Sequence, residues 1–108
     1  DAEVLANCQI VRAAVEAFAA ANGGVYPASS ADATPGGDTV YDLLPDGSLL
    51  INPYTEYRTE PAVFGGSAAT PGQTGYCVVV IDHENVGYVI TGVGRCAGDV
   101  IVTICNIP

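Results

Sequence analysis

The sequence predicts an α+β protein in which one long N-terminal helix packs on an antiparallel sheet of three to four strands. Residues 1–22 show the apolar periodicity of an amphipathic helix, and residues 75–108 contain three β-branched runs separated by turn residues. Residues 23–74 are rich in Gly, Pro, Ser and Asp and are predicted to form a long connecting loop region. With 108 residues the chain has the length of a single domain, 1–108.

The predicted helix has one apolar stripe for packing. Val4, Cys8, Val11, Val15 and Phe18 alternate at spacings of four and three, which places them on one face. We expect helix–sheet packing through Val4, Val11, Val15 and Phe18. A Gly-Gly pair followed by Tyr-Pro is expected to end the helix.

A second set of small and apolar residues lies off the stripe. These residues are Ala2, Leu5, Ala6 and Ile10. They are candidates for contact with another subunit or with a separate partner helix. The alternative is that they merely touch the connecting loop.

The predicted strands are YCVVVID, VGYVITG and VIVTICN. Turns are predicted at residues 83–85 and in RCAGD. Both faces of these strands are apolar, whereas a sheet with one solvated face alternates apolar and polar residues. We therefore expect the helix to cover one face, and the long loop or another molecule to cover the other.

The charge of the chain excludes some partners. Twelve acidic residues against three arginines and no lysine give a net charge of −9. Phosphate backbones and anionic membrane surfaces would repel such a chain, so we expect no nucleic-acid partner.

Four cysteines form an even set without a C-x-x-C pair. They are Cys8, Cys77, Cys96 and Cys105. Disulfides in an oxidising compartment are the favoured interpretation, and free buried thiols are the alternative. Closeness in sequence favours Cys96 with Cys105 and leaves Cys8 for Cys77. A tight hairpin would place Cys96 opposite residue 101 instead, so the pairing stays open.

The sequence offers little catalytic chemistry. His83, the only histidine, lies in a predicted solvated turn, and no nucleophile elbow or phosphate loop is present. Loop carboxylates lack the D-x-D-x-D-G calcium pattern. We expect no enzyme activity and no cofactor, with calcium as the minor alternative.

Three segments in order resemble one family. VEAFAAANGGVYP is similar to the end of the long first helix in type IV pilins and in the major pseudopilins of type II secretion. LLPDGSLLINPYTEYRTEP resembles the leucine-rich turn and Asn-Pro-Tyr segment that follows, and Gly75 with Tyr76 resembles the start of the sheet. The resemblance implies a pilin-like fold and a structural subunit of an extracellular, cell-surface filament, exposed to the periplasm before assembly. Its partners would be other pilin subunits. Pseudopilins of this kind often bind calcium in a loop of the sheet.

The sequence departs from that family at its start. Family members begin with a strongly apolar helix segment that anchors the subunit in the membrane, and that segment is missing here. One expectation is a trimmed pilin, and the other is the globular half of a split pilin whose apolar helix is a separate short chain. Membrane contact would then come only through the missing segment. The alternatives for function are a type II secretion pseudopilin and a monomeric secreted binding domain.

Overall fold

The computed structural model describes residues 2–96 and 98–106. Two α-helices are present, α1 (Ala2–Ala21) and the short α2 (Val40–Leu43), which is followed by one 3-10 turn at Pro45–Gly47. The strands are β1 (Leu50–Ile51), β2 (Arg58–Glu60), β3 (Val63–Phe64), β4 (Thr74–Ile81), β5 (Glu84–Val93) and β6 (Val100–Asn106). Asp1, Ala97, Ile107 and Pro108, which fall within predicted elements, lie outside the described residues.

The α+β class is confirmed, but the sheet is mixed. Its strand order is β3-β4-β5-β6, with β3 parallel to β4 and the other neighbours antiparallel. The prediction of a wholly antiparallel sheet was therefore wrong at one edge. β3 has only two residues, which is too short to show an alternating pattern in the sequence.

The connecting region contains more structure than the sequence indicated. β1 and β2 form a separate two-stranded antiparallel sheet. α2 begins with a capping box, in which Thr39 and Asp42 each bond the other's backbone N–H. This region runs back along α1, because Asn7 donates a hydrogen bond of 2.9 Å to the carbonyl of Ile51.

The first hairpin turns one residue earlier than predicted. Ile81 pairs with Glu84, so only Asp82 and His83 form the turn. Both have positive φ values of 52° and 65°, as a two-residue hairpin turn of the primed type requires. Glu84 and Asn85 therefore belong to β5, where the Asn85 amide donates to the carbonyl of Tyr26 and ties the hairpin to the end of α1.

The core lies between α1 and one face of the sheet. Val4, Val11 and Val15 are fully buried and Phe18 is 1% exposed, against Tyr76, Tyr88 and Ile90 of β4 and β5. The helix approaches the sheet closely at Gly92, where an added Cβ would lie 2.6 Å from Val4 Cγ1 and 2.8 Å from Cys8 Sγ. α1 is long and apolar enough to cross a membrane by length and composition, and 44% of its apolar window is buried here.

The opposite face of the sheet, here called the outer face, is only partly covered. The loop between β3 and β4, residues 65–73, crosses it at Ala68, whose N–H donates a 2.9 Å hydrogen bond to Thr91 Oγ1. A Cβ at Gly75 would lie 2.5 Å from that same nitrogen, so the loop can pack there only over a glycine. Farther along the face, Cys77, Val79 and Val89 stay half-exposed.

Candidate subunit-contact surface

The N-terminal half of α1 has open grooves on both flanks and beyond its end. Ala2, Leu5 and Ala6 are exposed, Leu5 to 42%. Ile10, grouped with them in the sequence, is half-buried and packs on the core instead. Three of the four candidate residues are thus available for contact with another molecule.

One groove, here called the β6 groove, runs between α1 and β6. Its volume is about 470 Å³. The helix side is formed by Ala2, Leu5, Gln9 and Arg12, and the strand side by residues 101–104. The sequence did not indicate this groove, because the position of β6 beside α1 depends on the strand order.

A second groove lies on the other flank of α1, and a third beyond its end. The second, about 360 Å³, brings Ala6 and Asn7 beside Ile51 and Arg58. The third, about 580 Å³, lies among Ala2, Pro53, Tyr54, Arg95 and Ile101. Exposure of Ile51 (46%), Tyr54 (39%) and Ile101 (41%) makes this end of the molecule apolar. The sequence did not single out Ile51 or Ile101, since exposed and buried isoleucines look alike in a sequence.

The arginines of the chain gather at these grooves. Arg12, Arg95 and Arg58 each line one of the three, and they are the only Lys or Arg residues in the chain. Glu3 is the only acidic residue among the described residues that line them. Among the described residues, the three grooves therefore carry more arginine than acidic side chains, although the protein as a whole is strongly acidic.

A hydrogen-bonded cluster closes the other end of α1. Tyr26 donates a 2.7 Å hydrogen bond to Glu16 and accepts one of 3.0 Å from the Asn106 amide. The bond to the Glu16 carboxyl raises the pKa of Tyr26 to about 12. Burial raises the pKa of Tyr76, whose hydroxyl donates to the carbonyl of Pro27. These tyrosines lock the chain that leaves the helix and stay neutral at physiological pH.

The four cysteines are free thiols in this structure, and neither of the favoured pairings is formed. Cys8 lies on the helix side of the sheet, beside Gly92. Cys77 is the cross-strand neighbour of Val89, which lies three residues before Gly92 in β5. Because successive residues of a strand point to opposite faces, Cys77 points to the outer face, away from Cys8. Cys105 is the neighbour of Val89 on the other side of β5. Val89 lies seven residues before Cys96, so Cys105 and Cys96 are too far apart for a disulfide bond. Burial raises the pKa of the Cys8 thiol to about 11.

Reducing agent is expected to leave the melting temperature unchanged, because no disulfide restrains the chain. A native disulfide would contribute about 2–4 kcal/mol, which reduction would remove. The measurement is thermal unfolding with and without dithiothreitol, with a thiol titration in denaturant as control. The titration should count four thiols; fewer thiols together with a lower melting temperature in dithiothreitol would contradict the structure.

The structure does not bring the candidate catalytic and calcium-binding side chains together in its described part. His83 is exposed in its turn. Within residues 2–96 and 98–106, no group of three or more His, Cys, Asp or Glu side chains is arranged to hold a metal ion. The loop aspartates considered for calcium are therefore not brought together by the described part of the fold.

Comparison with protein-family models, curated proteins and solved structures finds no match for this chain. The surface described above and the resemblance in sequence are therefore the basis for a proposal about function.

Proposed function

We propose that this chain is a structural subunit of an extracellular, type IV pilus-like filament and that the N-terminal half of α1 contacts neighbouring subunits. The observation that carries the proposal is the concentration of exposed apolar side chains at that end, with Leu5, Ile51, Tyr54 and Ile101 each 39–46% exposed. An apolar surface that adjoins open grooves is typical of an interaction site. The order of one long helix followed by a sheet supports the same proposal.

The partner in such a filament is another pilin subunit or a separate short apolar helix. Either would bury Ala6 together with Ile51, which share one groove. Burying about 800 Å² on each partner is usual for a specific interface. Because no disulfide is present, the oxidising compartment stays a proposal that rests on the resemblance alone.

Electron microscopy of the native source, with intact mass analysis of the filaments, tests this function. Filaments that contain the chain are expected. A short apolar peptide in the same filaments would identify the split form, and a longer single chain would identify a trimmed pilin. Only monomers in the native material would contradict the proposal and favour the secreted binding domain.

Ala6→Glu is expected to abolish filament incorporation while the subunit stays folded. The added carboxylate would have to leave water at the contact, and because an ion pair with Arg58 of the same groove seldom offsets that desolvation, the change costs several kcal/mol. Ala13→Glu is the matched control, because Ala13 is an exposed alanine of the same helix that lines none of the three grooves. Equal incorporation of both variants, scored by microscopy, would remove the N-terminal half of α1 from the contact.

A further inference from the structure

β6 presents an open edge of the sheet. It is the last strand in the order, so no other strand of the described chain pairs with its outer edge. The strand VIVTICN contains no charged residue and no proline. Edge strands of soluble proteins are commonly protected by lysine, proline or a covering segment, and β6 has no such lysine or proline.

The β6 groove lies directly beside this edge, so a strand from another molecule that pairs with β6 would also contact α1. Leu5 and Gln9 of α1 form one wall, and Val102 and Ile104 lie along the strand. Among the residues that the structure describes, no carboxylate lines the groove, although the chain has twelve acidic residues. Two copies with a net charge of −9 each can therefore meet along this edge without placing acidic groups opposite one another.

The residues of β6 also complement a reversed copy of themselves. If two β6 strands pair antiparallel about Thr103, all seven residues of each find partners. Thr103 meets Thr103, Val102 meets Ile104, and Ile101 meets Cys105. Threonine pairs and apolar pairs are favourable cross-strand neighbours.

We propose that β6 of one copy pairs antiparallel with β6 of a second copy, centred on Thr103, and joins two four-stranded sheets into one sheet of eight strands. Val102 and Ile104 of each copy enter the groove of the other and contact Leu5. The contact is isologous and closes on itself, so it differs from the head-to-tail contact that lengthens a filament. It does not depend on the proposed filament function.

Sedimentation velocity of the purified chain over a range of concentrations is the first test. A dimer is expected, and Thr103→Lys should weaken it about tenfold or more, because two ammonium groups would lie opposite each other at the centre of the pair. Thr103 is exposed, so the variant should keep the fold. Ala20→Lys adds the same charge at an exposed position outside the groove and should leave the dimer intact.

Disulfide trapping tests the register. In a chain carrying Cys96→Ser and Cys105→Ser, Thr103→Cys should give a cross-linked dimer under mild oxidation, and the same chain with Thr103 intact should not. Cys105 lies away from its symmetry copy in this register and should not cross-link in the Cys96→Ser chain. A monomer at every concentration, a dimer unaffected by Thr103→Lys, or cross-linking through Cys105 instead of position 103 would each overturn the proposal.

Discussion

Glu60→Ala is expected to lower the free energy of unfolding by about 3–5 kcal/mol, because it leaves the buried Thr74 N–H without its acceptor and removes one acceptor of the buried Asn52 amide. Glu60 is 1% exposed. Its carboxyl group accepts hydrogen bonds from Thr59 Oγ1 (2.6 Å), the Thr74 N–H (2.7 Å), the Ala62 N–H (3.2 Å) and the Asn52 amide (3.3 Å). One side chain thus joins the end of β2 to the start of β4.

Denaturant unfolding of two further variants separates the loss of buried hydrogen bonds from the general effect of removing a carboxylate. Glu60→Gln keeps the volume but turns an amide toward groups that donate, so we expect an intermediate loss of about 1–3 kcal/mol. Glu84→Ala removes an exposed carboxylate from β5 and should change stability by no more than about 0.5 kcal/mol. A Glu60→Ala midpoint equal to that of Glu84→Ala would show that the buried carboxyl does not stabilise the fold.

Phe18→Ala is expected to destabilise the protein by about 3–5 kcal/mol, because it leaves a cavity between α1 and the sheet. The ring is 1% exposed and belongs to the same core cluster as Tyr76 and Tyr88. The two tyrosine rings stack with their centroids 6.2 Å apart, and Tyr88 also contacts Tyr26 edge-on. Close-packed rings of this kind cannot collapse into the space that Phe18 would vacate.

Val25→Ala is the matched control for this variant. Val25 follows α1 but is 43% exposed, so its truncation should cost less than about 1 kcal/mol. Both changes are measured as the midpoint of denaturant unfolding at the same protein concentration. If Phe18→Ala unfolded at the midpoint of Val25→Ala, the helix would not pack on the sheet through its apolar stripe.

The sequence by itself predicted the elements that carry a long periodic signal. The stripe from Val4 to Phe18 follows the helical period for more than four turns, and all of its members are buried in the structure. The Gly-Gly pair ends α1, with Gly23 and Gly24 at positive φ and the Gly24 N–H bonded to the carbonyl of Ala19. The three β-branched runs became β4, β5 and β6 for the same reason, since each is long enough to show its preference.

Short and non-local features were decided only by the tertiary structure. β1, β2 and β3 have two or three residues each, too few to show a period, and each pairs with its partner strand across an intervening loop. The cysteines illustrate the limit most clearly: Cys8 and Cys77 both lie in apolar surroundings, but the pleat turns Cys77 away from the helix. Which face a residue points to changes with one residue of register, and composition carries no information about register.

The candidate contact surface also has one part that the sequence predicts and another that depends on the tertiary structure. The sequence determined that Ala2, Leu5 and Ala6 lie off the packed stripe, because the helical period fixes their angle around α1. Only the fold placed Ile51 and Ile101 on the two flanks of that helix and left the edge of β6 open. These contacts join residues more than forty positions apart, and the physical reason they escape the sequence is that chain order does not fix which strand becomes the edge.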